Sequence, residues 1–249
     1  MDNYTIQETF TLPSKGKIYG TTVPQDITLR SMQLIDEMRM TSPSTYQYKS
    51  MCDTIENCIV GDFPIHVYDM CIGDYQFLMH KLRVVTYGNT YPFATKCTSC
   101  GTWTTQEINL DELQVLEYNE SFEDLKVITL PQCGKQIELN FQTPRMLDEI
   151  ERKRNERLAK DSEQLDPRLE LMLKSVIAKV DGKILSYVHL DTFINKLSMK
   201  DINYIIKSAD KLNGRIGIDT TIGCHCSKCR ANYLSTFCFT PEFYSPSID

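Results

Sequence analysis

The chain has 249 residues, 41% hydrophobic and 24% charged, with a formal net charge of −6. This is the composition of a globular protein able to bury one large core or two small ones. The acidic balance argues against a general nucleic-acid binder, whose affinity rests on Lys and Arg displacing counterions, and points to protein partners. No run reaches the roughly 20 apolar residues of a membrane helix. The start Met1-Asp2-Asn3-Tyr4 lacks the basic and apolar regions of a signal peptide. The expectation is a protein that works off the membrane, in the compartment where it is made.

Tyr4, Ile6, Thr9 and Phe10 sit in an apolar/polar alternation that reads as a strand, broken by the loop Leu12-Pro13-Ser14-Lys15-Gly16. Ile27 to Met32 reads as a second strand able to pair with it. Leu34, Ile35 and Met38 have helical spacing, ended by Pro43. The pattern restarts over 44–60, with Met51, Ile55, Cys58 and Ile59 on one face. The clearest helix of the first half runs from Asp74 to Tyr87, with Gly88 and Asn89 as its stop. Strands rich in Thr, Tyr, Trp and Ile follow at 91–96, 103–110, 127–130 and 137–141, with Gly101 and Gly134 in turns. Together they read as a small β subdomain.

After Thr143-Pro144 the pattern turns helical. Residues 145–161 mix Glu with Arg and Lys, which fits a solvated helix face better than a nucleic-acid patch. Asp166-Pro167 opens a helix whose expected buried face is Leu169, Met172, Leu173, Val176, Ile177 and Val180, up to the Asp181-Gly182 turn. Ser198-Met199-Lys200-Asp201 resembles a capping box. Ile202, Ile205, Ile206, Ala209 and Leu212 then form an apolar stripe ended by Asn213-Gly214. Short strands are expected at 215–218 and 233–239. The fold class is α+β, a small β subdomain bearing a zinc-ribbon-like knuckle packed against a mainly helical part. The expected order is an α+β lobe over 1–142, a helical lobe over 143–215, and a C-terminal knuckle and strand over 216–249 that return to the first lobe.

Ten cysteines occur. Cys52, Cys58, Cys71, Cys133 and Cys238 are isolated, mostly among apolar neighbours, and read as small buried hydrophobes. The other five form Cys97-Thr98-Ser99-Cys100-Gly101 and Cys224-His225-Cys226-Ser227-Lys228-Cys229. In a Cys-x-x-Cys-Gly turn both sulfurs point to one side and the glycine permits the tight backbone. Two such turns complete a tetrahedral four-thiolate zinc site with metal–sulfur distances of about 2.3 Å. The expected ligands are Cys97, Cys100, Cys226 and Cys229, with Cys224 or His225 able to replace one. Their separation far exceeds the roughly 15–20 residues of a compact ribbon, so reduced thiols or a redox pair compete with this reading. A catalytic zinc keeps one position open for water. The sequence has no His-Glu-x-x-His, no His-x-Glu with Pro-Cys-x-x-Cys, no phosphate loop and no nucleophile elbow. His66, His80 and His189 are scattered and read as structural. A closed structural metal without catalytic residues is the expectation.

The same residues resemble the baseplate hub protein family of T-even-type contractile-tailed phages. The likeness rests on Leu12-Pro13-Ser14-Lys15-Gly16 leading to Tyr19, Ile27-Thr28-Leu29-Arg30, the helix Asp74 to Arg83 running on to Thr86-Tyr87-Gly88, and Lys96 to Gly101. Asn109-Leu110-Asp111-Glu112 and Leu130-Pro131 with Gly134-Lys135 complete it. It covers about the first 140 residues in order and is weaker beyond, in the second cysteine cluster and Phe243 to Pro246. It implies phage baseplate hub proteins as partners and no enzymatic activity. Of two related members serving one hub, the chain is similar to the longer, an assembly factor that acts in the host cytoplasm and is absent from the mature virion. A resident structural subunit of the hub and a zinc-finger nucleic-acid binder are the competing readings. Tyr4, Phe10, Phe243 and Tyr244 are either interface anchors or core.

Overall fold

Strands β1 (Gln7–Thr11) and β2 (Asp26–Arg30) pair antiparallel, Gln7 opposite Arg30 and Thr11 opposite Asp26. One face buries Phe10, Ile27 and Leu29, and on the other the Thr9 and Thr28 hydroxyls bond across the strands at 2.8 Å. That is the period-2 division of a sheet covered on one side. The structure, a computed structural model, describes residues 4–20, 22–160, 165–237 and 241–244. Helices α1 (Leu34–Met40), α2 (Lys49–Cys58) and α3 (Ile72–Tyr87) follow. α3 is buried along most of its length and carries Phe77, Leu78, Leu82 and Val85 into the first core.

The Pro/Gly loop between β1 and β2 is pinned to the start of α3 by one carboxylate. Asp74, fully buried, accepts bonds from the Ser14 amide (2.9 Å), the Ser14 hydroxyl and the Tyr19 hydroxyl (2.6 Å). Burial pushes the Asp74 carboxyl above its ordinary range, and those donors oppose the shift.

The hairpin β3 (Thr90–Lys96) and β4 (Trp103–Asn109) stands beyond α3. Next come β5 (Val115–Leu116), α4 (Phe122–Lys126), β6 (Val127–Thr129), β7 (Gln136–Leu139), α5 (Pro144–Lys160), α6 (Arg168–Val176) and β8 (Ile177–Val180). Then follow α7 (Tyr187–Ile194), α8 (Met199–Asn213), β9 (Gly217–Ile218), β10 (Thr221–His225), β11 (Asn232–Thr236) and a 3-10 turn at Pro241–Tyr244. The strands expected at 91–141 do not share one sheet: β3 pairs with β4, whereas β6, β7 and β8 form a separate three-stranded sheet. That sheet and the helices α6 and α8 enclose a second core around Ile137, Leu139, Leu173, Val176, Ile205 and Leu212. The mixture of helices and small antiparallel sheets is α+β.

The helix expected to reach Val180 ends at Val176. From Ile177 the chain is strand β8, with Val180 opposite Ile137 and Ile177 opposite Leu139, and a register irregularity at Glu138/Leu139 turns both side chains into the core. The β-branched Val176, Ile177 and Val180 suit a strand, and the open edge of β7 decides the competition. In α6 the expected face is also shifted: Leu171 is buried and Leu169 exposed.

Two further buried carboxylates join parts distant in sequence. Asp148 of α5 accepts from the Tyr48 and Lys49 amides at the start of α2 and from the Tyr68 hydroxyl at 2.9 Å. Asp201 sits in the first turn of α8, capped by Ser198, and accepts the Gln132 and Cys133 amides of the β6–β7 turn. Cys52, Cys58 and Cys71 are buried as expected. Cys133 is exposed in that turn, and Cys238 lies outside the described residues.

The start of α3 meets β9 backbone to backbone. A Cβ added at Gly73 would lie 2.1 Å from the Ile216 carbonyl oxygen, while one at Gly223 would meet nothing within 4 Å. Gly73→Ala should therefore lower stability by about 1–3 kcal/mol in urea unfolding, as overpacking does. Gly223→Ala should stay within about 0.5 kcal/mol; equal effects would contradict the contact.

His80 is buried in α3, its Nε2 bonded to the Leu110 carbonyl at 3.0 Å and its Nδ1 without a partner among the described residues. Burial lowers its pKa to about 4, with the Lys81 charge adding to the effect. Below an unfolded value of about 6.5 the unfolded chain takes up the proton and the folded chain resists it. This group's contribution is thus full above pH 6.5 and is lost as pH falls toward 4. Between these limits the wild type should lose about 2–3 kcal/mol more than His80→Gln. Parallel pH–stability curves for the two proteins would refute the assignment.

Candidate metal centre

The first cysteine turn caps the β3–β4 hairpin and the second caps the hairpin of β10 and β11, in which Thr221 lies opposite Thr236 and His225 opposite Asn232. The two turns have the same backbone bonds. In the first, the Gly101 amide donates to the Cys97 carbonyl and the Cys97 amide to the Thr102 carbonyl, both at 2.9 Å. In the second, the Arg230 amide donates to the Cys226 carbonyl at 2.9 Å and the Cys226 amide to the Ala231 carbonyl at 3.0 Å. The residue after each second cysteine is left-handed, Gly101 with φ 71° and Arg230 with φ 60°. Glycine takes this conformation freely, while arginine pays a steric cost of order 1 kcal/mol that the surrounding turn must overcome.

Cys97, Cys100, Cys226 and Cys229 converge, with all four sulfurs within 4.8 Å of one another. Cys97 Sγ lies 3.7 Å from Cys229 Sγ, and Cys100 Sγ 3.7 Å from Cys226 Sγ. These distances are far beyond the roughly 2.05 Å of a disulfide. They match the edge of about 3.8 Å that follows for a regular tetrahedron with metal–sulfur bonds near 2.3 Å. The residues thus fit a four-thiolate metal with every position filled by protein. Cys97 and Cys226 are buried and Cys100 and Cys229 exposed, so the cluster is open to solvent on one side only.

The sulfurs are biased unequally toward the thiolate that a metal requires. Bonds from Thr102 bring the Cys100 thiol down to about 6, and the Cys229 amide lowers Cys226. The Ala231 amide favours the Cys229 thiolate, yet sharing protons with Cys100 and Cys226 pushes Cys229 up to about 12. Four close sulfurs cannot all ionise together until a cation is present.

Neither alternative ligand joins the cluster. Cys224 is buried beside it, packed with Tyr233, and His225 Nδ1 is bonded to Asn232 Oδ1 at 2.8 Å. Side chains that the sequence did not single out complete the joint between hairpins. Thr95 bonds Ser235 at 2.7 Å, Thr104 the Tyr233 hydroxyl at 3.0 Å, and Gln106 the His225 carbonyl at 2.9 Å. Their only signal was alternation of Thr and aromatic residues in each strand. Of the three histidines read as structural, only His80 is in a core. His66 is exposed near Glu56, and His189 is exposed and bonded to Ser186.

The purified protein should carry about one metal ion per chain by elemental analysis. Cys97→Ser or Cys229→Ser should lose it and melt at a much lower temperature, since such a site contributes on the order of 10 kcal/mol to folding. Cys224→Ser should keep it. Retention of the metal by Cys97→Ser would exclude this ligand set.

Comparison with known proteins gives one finding of consequence. A family model described as T4 bacteriophage base plate protein matches residues 3–237, a span that includes both cysteine turns and all of the second core. No curated protein and no solved structure matches. With nearly the whole length covered, the chain belongs to the T4 bacteriophage base plate protein family.

Proposed function

We propose that this protein is an assembly factor of the baseplate hub, the longer of the two related hub members. It binds hub subunits in the host cytoplasm, brings them to a state able to nucleate the baseplate, and leaves before the tail is complete. It performs no covalent chemistry, and the ion held by Cys97, Cys100, Cys226 and Cys229 is a structural zinc. The observation that carries this reading is the baseplate family match over residues 3–237.

Other features support it. Four protein sulfurs leave a tetrahedral ion no position for water or substrate, as in structural zinc sites. A cleft of about 520 Å³ lies between Tyr19, Cys71 and Phe141, and its charged residues are engaged elsewhere: Asp69 with Arg145, Glu138 with Lys179, Lys126 with Glu123. The charged helix α5 is neutralised by its own pairs, Arg152 with Glu156 and Lys153 with Glu149, and by Arg154 with Asp166, which leaves no basic stripe for nucleic acid. No described helix is long and apolar enough to cross a membrane.

Tagged protein from infected cells should co-purify with hub subunits. Quantitative mass spectrometry should find it in lysate and far below one copy per hub subunit in purified virions. Fixed stoichiometry in virions would replace this reading with that of a resident hub subunit. Iron is the other ion that suits four thiolates. A colourless protein containing zinc supports the proposal, and a coloured one containing iron overturns that part of it.

A further inference from the structure

Helix α1 is turned inside out. Its fully buried residue is Asp36, whose carboxylate takes the Arg30 guanidinium at 2.6 and 3.2 Å and the Gln33 amide at 2.9 Å. Met40 packs against the first core, but the other three apolar residues face outward, with Leu34 75% exposed, Ile35 50% and Met38 56%. A surface helix ordinarily does the reverse. The bidentate Arg30–Asp36 pair, with Arg30 also bonded to the Asn57 carbonyl at 2.8 Å, fixes the rotation of the helix and keeps the apolar face in solvent. Tyr4 (91% exposed) and Ile6 (64%) widen this surface, since the Ile6 amide and carbonyl both bond to Ser31, just before α1.

We infer that α1 is a self-association surface, on which two copies of this chain meet face to face about a two-fold axis running along the helix. Charge placement selects this occupant. At about 100° per residue, Leu34, Met38 and Ile35 fill one arc of α1, with Glu37 on one border and Arg39 on the other. Neither charged side chain has an ion-pair partner among the described residues. When two such helices face each other in parallel, the Glu37 border of each meets the Arg39 border of the other. Antiparallel, like borders would meet and repel. The apolar triad is the centre of the contact and the two ion pairs its rim. A standard interface covers about 800 Å² per partner, more than three side chains of α1 expose, so Tyr4 and Ile6 belong to the contact and the dimer is a weak one.

Sedimentation equilibrium of the full-length, metal-loaded protein over the micromolar range tests this. The wild type should dimerise, and Ile35→Asp should be monomeric with unchanged circular dichroism and metal content. Glu37→Arg and Arg39→Glu should each weaken the dimer about tenfold, and the double swap Glu37→Arg/Arg39→Glu should restore it, because exchanged borders remain complementary. A wild type that is monomeric throughout, or a double swap as weak as the single variants, overturns the proposal. If the wild type is monomeric and hub subunits protect the α1 face in a mixture, the occupant is a different protein.

Discussion

Closing residues 97–100 onto 226–229 is the constraint from which most of the architecture follows. Each cysteine turn caps a two-stranded hairpin, and an isolated two-stranded hairpin is marginal in water. Side-chain hydrogen bonds, the rings of Tyr91 and Phe93 against Phe237, and a small apolar cluster around Cys224 and Tyr233 join the hairpins. A bound ion adds a cross-link whose loop contains more than half the chain, and a long loop is where a cross-link removes most freedom from the unfolded state. The consequence reaches beyond the knuckles. β11 leads straight to Phe237, and the segment after it places Phe243 and Tyr244 in the first core. Arg83 Nε donates to the Phe243 carbonyl at 2.8 Å, and the Tyr244 hydroxyl to the Met79 carbonyl at 2.6 Å. Phe243 and Tyr244 are thus a fitted part of the α3 surface.

The remaining long-range order depends on buried carboxylates used as acceptors for backbone amides. Asp74 holds the β1–β2 loop, Asp148 the start of α2, and Asp201 the β6–β7 turn. Asp36 does the same locally for α1. A carboxylate that receives several N–H bonds is satisfied and directional, which apolar contact is not. Removing any one leaves amides without acceptors at a junction between elements, a cost of about 1–3 kcal/mol for each buried group. A few polar joints thus fix how neighbouring elements are placed around the two apolar cores.

What could be read in the sequence follows from what is local. The Cys-x-x-Cys turns announced their ligands because the geometry of each lies within five residues, and the i, i+4 pattern of α3 and α8 is equally local. β8 was missed because Ile177 to Val180 is apolar enough for either helix or strand, and only the edge of β7 decides. The outward face of α1 was missed for a related reason. Leu34, Ile35 and Met38 show the helix but not its rotation, which Asp36 sets by pairing with Arg30 across a strand end. Nothing in the Leu12-Pro13-Ser14-Lys15-Gly16 loop showed that Ser14 and Tyr19 share Asp74, about 55 to 60 residues away. α7 is short, and its exposed Tyr187 and Val188 gave no stripe to follow.

The cysteine closure supplies rigidity where two small hairpins meet beside the first core. Hydrogen exchange of the metal-loaded protein, compared with the same protein after the metal is withdrawn by a chelator, tests that account most directly. If the cluster governs the fold, the β3–β4 and β10–β11 hairpins and the Phe243–Tyr244 segment lose protection together on metal removal, while α6 and α8 in the second core keep theirs. Unchanged protection of both hairpins without metal would contradict it.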